Sequence, residues 1–111
     1  MELKKLKFKN ELCNLILKGE KTTTWRIFDD KDITKGDRFI FINSDTQKEF
    51  AKAQIIDVKE TAFKYLTDED WDGHEKFSTK EEMYQTYSKY YKTQVTENTI
   101  VKIIKFNILS T

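Results

Sequence analysis

Eight consecutive residues carry most of the chemistry open to this chain. Gly19-Glu20-Lys21-Thr22-Thr23-Thr24-Trp25-Arg26 places an amine, three hydroxyls and a guanidinium side by side. A hydroxyl attacks a carbonyl only when a base takes its proton, and a lysine can do so only in its neutral form. A guanidinium in the same run can hold a phosphate or a carboxylate. The Gly-x4-Gly-Lys-Thr spacing of a P-loop is missing, so this is no phosphate cradle of that kind. The bland alternative is a Thr-rich strand with two solvated cations, and spacing alone favours it.

A run of this kind needs rigid elements around it. Leu6 and Phe8 alternate with Lys5, Lys7 and Lys9, the period of a half-buried strand. Asn10 is expected to cap a short helix, with Leu12, Leu15 and Ile16 as its buried stripe. Gly19 ends that helix as a left-handed stop. The β-branched residues that follow predict an extended strand. Thr22, Thr24 and Arg26 then share one face, and Thr23, Trp25 and Ile27 the other. With Trp25 and Ile27 as core anchors, Thr24 and Arg26 face a cleft or solvent.

Asp29 to Lys35 reads as a loop, and Gly36-Asp37 as a turn into a strand over Arg38 to Ile42. That strand is apolar on both faces, as central or barrel strands are. Phe50 to Val58 is a further strand, Thr61 to Leu66 a short helix or turn, and Thr67 the start of another helix. Ser78-Thr79-Lys80-Glu81 has the capping-box pattern and opens a helix to about Tyr91, with Met83, Tyr84 and Tyr87 in its stripe. Thr99 to Leu109 closes the chain as a strand. This order predicts an α+β fold, a short barrel with helices packed on it, as one domain over residues 1–111.

Composition bounds the function. In 111 residues, 20 Lys+Arg nearly balance 19 Asp+Glu. That argues against a protein that coats duplex nucleic acid by charge alone, but leaves room for a local basic pocket. One Cys and one His argue against a zinc site, and no cofactor is called for. Cys13 is read as a small buried apolar residue. No apolar h-region stands at the start and no run is long enough to span a membrane, so the expected location is cytoplasmic.

The chain resembles the ASCH domain family, small PUA-related β-barrels named for an activating signal cointegrator. The resemblance rests on Phe8, Ile16-Leu17-Lys18-Gly19, Lys21-Thr22, Thr24, Arg26 and Gly36-Asp37. Further along, Asp72-Gly73-His74-Glu75-Lys76-Phe77, the Tyr-rich helix and Val101 to Phe106 also match, more loosely. It implies a PUA-like barrel of about five to six strands with two to three flanking helices. It also implies a cleft that holds a nucleoside or RNA. One bacterial branch of similar size hydrolyses the acetyl amide of N4-acetylcytidine with a Lys, a Thr and a Glu. These carry over to Lys21, Thr24 and Glu75 as catalytic residues. Arg26, Thr22 and His74 become contacts to substrate or RNA. The residues that flank Glu75, His74 and Phe77, differ from that branch.

Two role assignments follow. Lys21 is the base and Glu75 passes the proton to the leaving amine, or Glu75 is the base and Lys21 steadies the oxyanion. The resemblance favours the first. An ordinary lysine, with a pKa of about 10.4, is neutral in roughly one part in a thousand near pH 7. Burial and Arg26 push that pKa down and Glu75 pushes it up. An enzyme needs Lys21, Thr24 and Glu75 within hydrogen-bond reach in an enclosed pocket. The alternative function, a non-catalytic RNA-binding module, needs a longer basic groove.

Overall fold

The computed structural model describes residues 3–28 and 31–109. The expected loop from Asp29 thus begins outside the described residues, as do Met1 and Glu2 of the expected leaderless start. In chain order come β1 (Lys4–Phe8), α1 (Asn10–Leu17), β2 (Thr23–Arg26), β3 (Arg38–Asn43) and β4 (Lys48–Ala62). A 3-10 turn (Phe63–Tyr65), α2 (Asp68–Trp71), α3 (Lys80–Tyr91) and β5 (Ile100–Ile108) complete it. The strands make one sheet in the order β1-β3-β4-β5-β2. β1 runs parallel to β3, and the other pairings are antiparallel. The result is α+β, a curled half-barrel of five strands with three helices. It has the expected class and element counts, with β1 and β2 as the two edges of the sheet.

Three local details depart from the sequence reading. Asn10 does not cap α1 but is its first residue. Lys9 takes the cap position without a side-chain bond. The free N–H of Asn10 is met instead by Asp45 Oδ2 at 2.9 Å, across the β3–β4 turn. β4 runs beyond Val58 to Ala62, because a bulge between Ile55 and Asp57 resets its register on β5. The cap of α3 is Thr79, one residue later than expected: its hydroxyl accepts the Glu82 N–H at 3.0 Å.

β5 explains how so few residues make a core. Its Ile104 and Phe106 join Leu6, Phe39, Phe41 and Ile16 in a cluster against α1. Its Val101 and Ile103 point the other way, toward Trp25, Phe63 and Met83. Both faces of β5 are therefore apolar and buried, as a strand covered on both sides requires. Cys13 is buried in the first cluster.

Candidate functional site

Lys21 stands between Gly19 and β2, where the chain leaves α1. Gly19 has φ +80°, and the Glu20 and Lys21 N–H groups both return to the Leu15 carbonyl. This turn directs the lysine inward, and only 2% of the residue is exposed. Nζ donates to the Thr23 carbonyl at 2.8 Å and to Glu75 Oε1 at 2.5 Å. Burial lowers the Lys21 pKa, and the Glu75 carboxylate beside it recovers only part of that. The balance left open by the sequence thus falls on the side of desolvation.

Glu75 is brought there by the segment after α2. Thr67 caps α2 in a reciprocal box with Asp70. The Gly73 carbonyl then accepts the N–H groups of Thr22 at 2.8 Å and Thr23 at 3.1 Å. Thr23 Oγ1 donates to the Asp72 carbonyl at 2.7 Å. Gly73 has φ +80°, and a Cβ there would lie 2.0 Å from Thr22 Oγ1. Only glycine allows this approach. Burial raises the Glu75 pKa, but the His74 ring and the Lys21 ammonium outweigh it and leave the group below its ordinary value. Glu75 stays about a quarter exposed, with 25% of its side chain open.

His74 is 5% exposed. The Trp25 ring stacks on it at 3.8 Å, and the Trp25 indole N–H is held by the Asp70 carbonyl at 3.2 Å. His74 Nδ1 lies 2.8 Å from the Glu75 carbonyl, and Nε2 lies 3.2 Å from the Tyr87 hydroxyl. Burial, helped by Lys21, pushes its pKa down to about 3. His74, expected to touch a ligand, has one ring face stacked on Trp25 and both nitrogens within hydrogen-bond distance of protein atoms.

The structure therefore joins Lys21, Glu75 and His74. It does not join Thr24 to them. Thr24 is buried, at 7% exposed, and pairs with Ile104 in the ladder. Among the described residues no hydrogen bond links its side chain to Lys21 or Glu75. Thr22 is exposed, beside a cleft of about 290 Å³ lined also by Leu17, Gly19, Lys21, Phe106 and Asn107. Arg26, at the end of β2, keeps a buried Nε that has no hydrogen-bond partner among the described residues. Among the described residues, no group of three or more His, Cys, Asp or Glu side chains is placed to hold a metal ion.

Sequence reasoning missed Thr23, Trp25, Gly73 and Tyr87 as supports of the site. Thr23 and Trp25 were legible only as the core side of β2. Gly73 carried a usable signal, one of three glycines in the chain and two residues from Glu75. Tyr87 looked like any member of an apolar stripe.

The fold and the motif residues define a small ASCH-type domain. The ASCH domain model matches residues 2–110, and the chain belongs to that family. Among solved structures it is similar to a protein from Enterococcus faecalis V583, with TM-score 0.81 and 16% identity over 98% of this chain and 82% of that one. A protein from Pyrococcus furiosus gives 0.68 and 18%, over 99% and 100%. An ASCH protein from Zymomonas mobilis gives 0.62 and 14%, over 93% of this chain and 65% of that one. At these identities the likeness is one of fold. No curated protein matches the chain. Among the described residues no helix is long and apolar enough to cross a membrane.

Proposed function

We propose that this protein is a small amidohydrolase that deacetylates N4-acetylcytidine, or a related acylated nucleoside, to cytidine and acetate. One observation carries the reading: a buried lysine with a lowered pKa, bonded to a partly exposed glutamate. A neutral lysine has two N–H groups and one lone pair. When Lys21 gives up its extra proton, the two remaining hydrogens meet the Thr23 carbonyl and Glu75, and the lone pair is left for a third partner. Lowered basicity by burial is what a lysine base needs near neutral pH.

In this reading the third partner is the Thr24 hydroxyl. Thr24 attacks the acetyl carbonyl, Lys21 takes its proton, and Glu75 delivers a proton to the leaving amine. Thr24 must close on Lys21 when substrate binds, since catalytic hydrogen bonds are often long before the substrate arrives. The cleft of about 290 Å³ is lined by Lys21 and Thr22, though not by Thr24 or Glu75, and is near the lower bound of about 300 Å³ for small-molecule sites. It suits one nucleoside better than a strand.

A second reading, a non-catalytic RNA-binding module, is favoured by Arg26, whose guanidinium can pair with a phosphate and whose buried Nε has no hydrogen-bond partner among the described residues. The deciding experiment is incubation of the purified protein with N4-acetylcytidine. Cytidine should appear, and Lys21→Ala and Thr24→Ala should each slow its formation by about 10²–10⁴-fold. Absence of turnover from folded wild-type protein would transfer the assignment to RNA binding.

A further inference from the structure

Glu75 Oε1 meets two side chains, Lys21 and His74, and the contact with His74 lacks a hydrogen. The Glu75 carbonyl can only accept, so the 2.8 Å contact with His74 Nδ1 places the ring hydrogen on Nδ1. With its pKa near 3 the ring is neutral at pH 7, and Nε2 carries a lone pair. That lone pair accepts from the Tyr87 hydroxyl at 3.2 Å. It also faces Glu75 Oε1 at 3.1 Å. An ionised carboxylate is an acceptor too, so two acceptors stand at hydrogen-bond distance with nothing between them. One proton, on either atom, turns this contact into a hydrogen bond.

We propose that Glu75 Oε1 and His74 Nε2 form a slot that holds one proton during turnover, and that Tyr87 caps Nε2 while the slot is empty. Its place in catalysis rests on the amidohydrolase reading. The Thr24 hydroxyl proton passes to neutral Lys21 as the bond from Thr24 Oγ1 to the acetyl carbon forms. The Lys21 ammonium, 2.5 Å from Oε1, passes a proton into the slot. From there it goes to the leaving nitrogen as the C–N bond breaks. One proton leaves Thr24 and one arrives on the amine. Water then cleaves the acetyl ester, restoring the Thr24 hydroxyl and releasing acetate.

The surroundings suit this role. The Trp25 stack and the Nδ1 hydrogen bond fix the ring, so Nε2 cannot turn from Glu75. The charged groups acting on His74 are Lys21 and Lys76, which disfavour a charged ring, and Glu75, which favours it. Tyr87 comes from α3, is pushed well above its ordinary pKa by burial, and so keeps its hydrogen to donate. His74 and Tyr87 act through Glu75 and are positioning residues.

The test follows the Glu75 side-chain carboxyl by carbon NMR during an acid titration of the whole protein. Three variants separate the roles. His74→Asn keeps a donor near the Nδ1 position and loses the Nε2 acceptor. His74→Gln keeps an acceptor near Nε2 and loses the donor. Tyr87→Phe keeps the ring and removes the competing hydroxyl. The slot predicts a midpoint about one pH unit lower in His74→Asn, whereas loss of the electrostatic pull of His74 on Glu75 alone would raise it and overturn the slot. It also predicts a nearly unchanged midpoint in His74→Gln and one about half a unit higher in Tyr87→Phe. With deacetylation measured alongside, kcat should fall about tenfold in His74→Asn at unchanged KM, and His74→Gln should recover most of it. Equal midpoints in wild type, His74→Asn and Tyr87→Phe would overturn the slot even if the enzyme turns over. Shifted midpoints without wild-type deacetylation would leave the slot standing and remove the amidohydrolase reading. If the His74 variants fail to fold, Tyr87→Phe decides alone, an unmoved midpoint refuting the slot.

Discussion

At the scale of residues, a buried neutral histidine beside a buried lysine makes stability depend on pH in a defined direction. His74 titrates near 3 in the folded protein and near its ordinary value of about 6.5 when unfolded. Between those values the unfolded chain binds the extra proton. Stability contributed by His74 is therefore complete above about pH 6.5 and is lost as pH falls toward 3. The slope is at most about 1.4 kcal/mol per pH unit for one proton. Urea unfolding of wild type from pH 7.5 to 4.5 should show this loss, and His74→Gln should show a flatter dependence over the same window. A wild-type stability that does not fall from pH 6.5 to 4.5 would mean that the ring is already charged in the folded protein. Lys21 works the same way at the alkaline end: its folded pKa is lowered, so stability rises with pH up to its unfolded value.

At the scale of elements, the site depends on one close approach. Gly73 docks the segment after α2 onto the start of β2, and both N–H groups it receives belong to the motif. Gly73→Ala combines a left-handed φ, about 1–2 kcal/mol for a residue with a Cβ, with a contact no real Cβ makes. It should cost roughly 2 kcal/mol or more in denaturant melts and, under the proposed amidohydrolase function, reduce deacetylation even where the fold survives, because Glu75 is two residues away. A variant as stable and active as wild type would show that the two segments do not need this approach. The same junction shows what the sequence could reveal. Periodicity placed β1, α1, β3, α3 and β5 to within a residue or two, because each of them buries one face or both. The β4 bulge and the Asp45 contact to Asn10 could not be read, since each depends on a partner far along the chain. Lys21 and Glu75 were legible through the motif, while their supports were not. Trp25 serves β2 as a core residue and His74 as a stacking surface, and only the second use matters to the site.

At the scale of the whole molecule, charge separates the two functional readings. Lys+Arg 20 against Asp+Glu 19 leaves little net field to attract a polyanion. Lys21, central to the motif, spends its charge on Glu75 inside the protein. The substrate of the proposed amidohydrolase, an acylated nucleoside, is neutral, so its capture would release few counterions. A module holding a strand through six to ten phosphates would lose about 10³–10⁵ in affinity between about 50 and 200 mM salt. Over that range kcat/KM for N4-acetylcytidine should change by less than about twofold. The same measurement on a short single-stranded RNA carrying the acetylated base identifies what the cleft recognises. Equal, salt-insensitive kcat/KM for both substrates means that the protein reads the base alone. A large preference for RNA that vanishes with added salt means that Arg26 and its neighbours contact the strand, and the enzyme acts on the base in place.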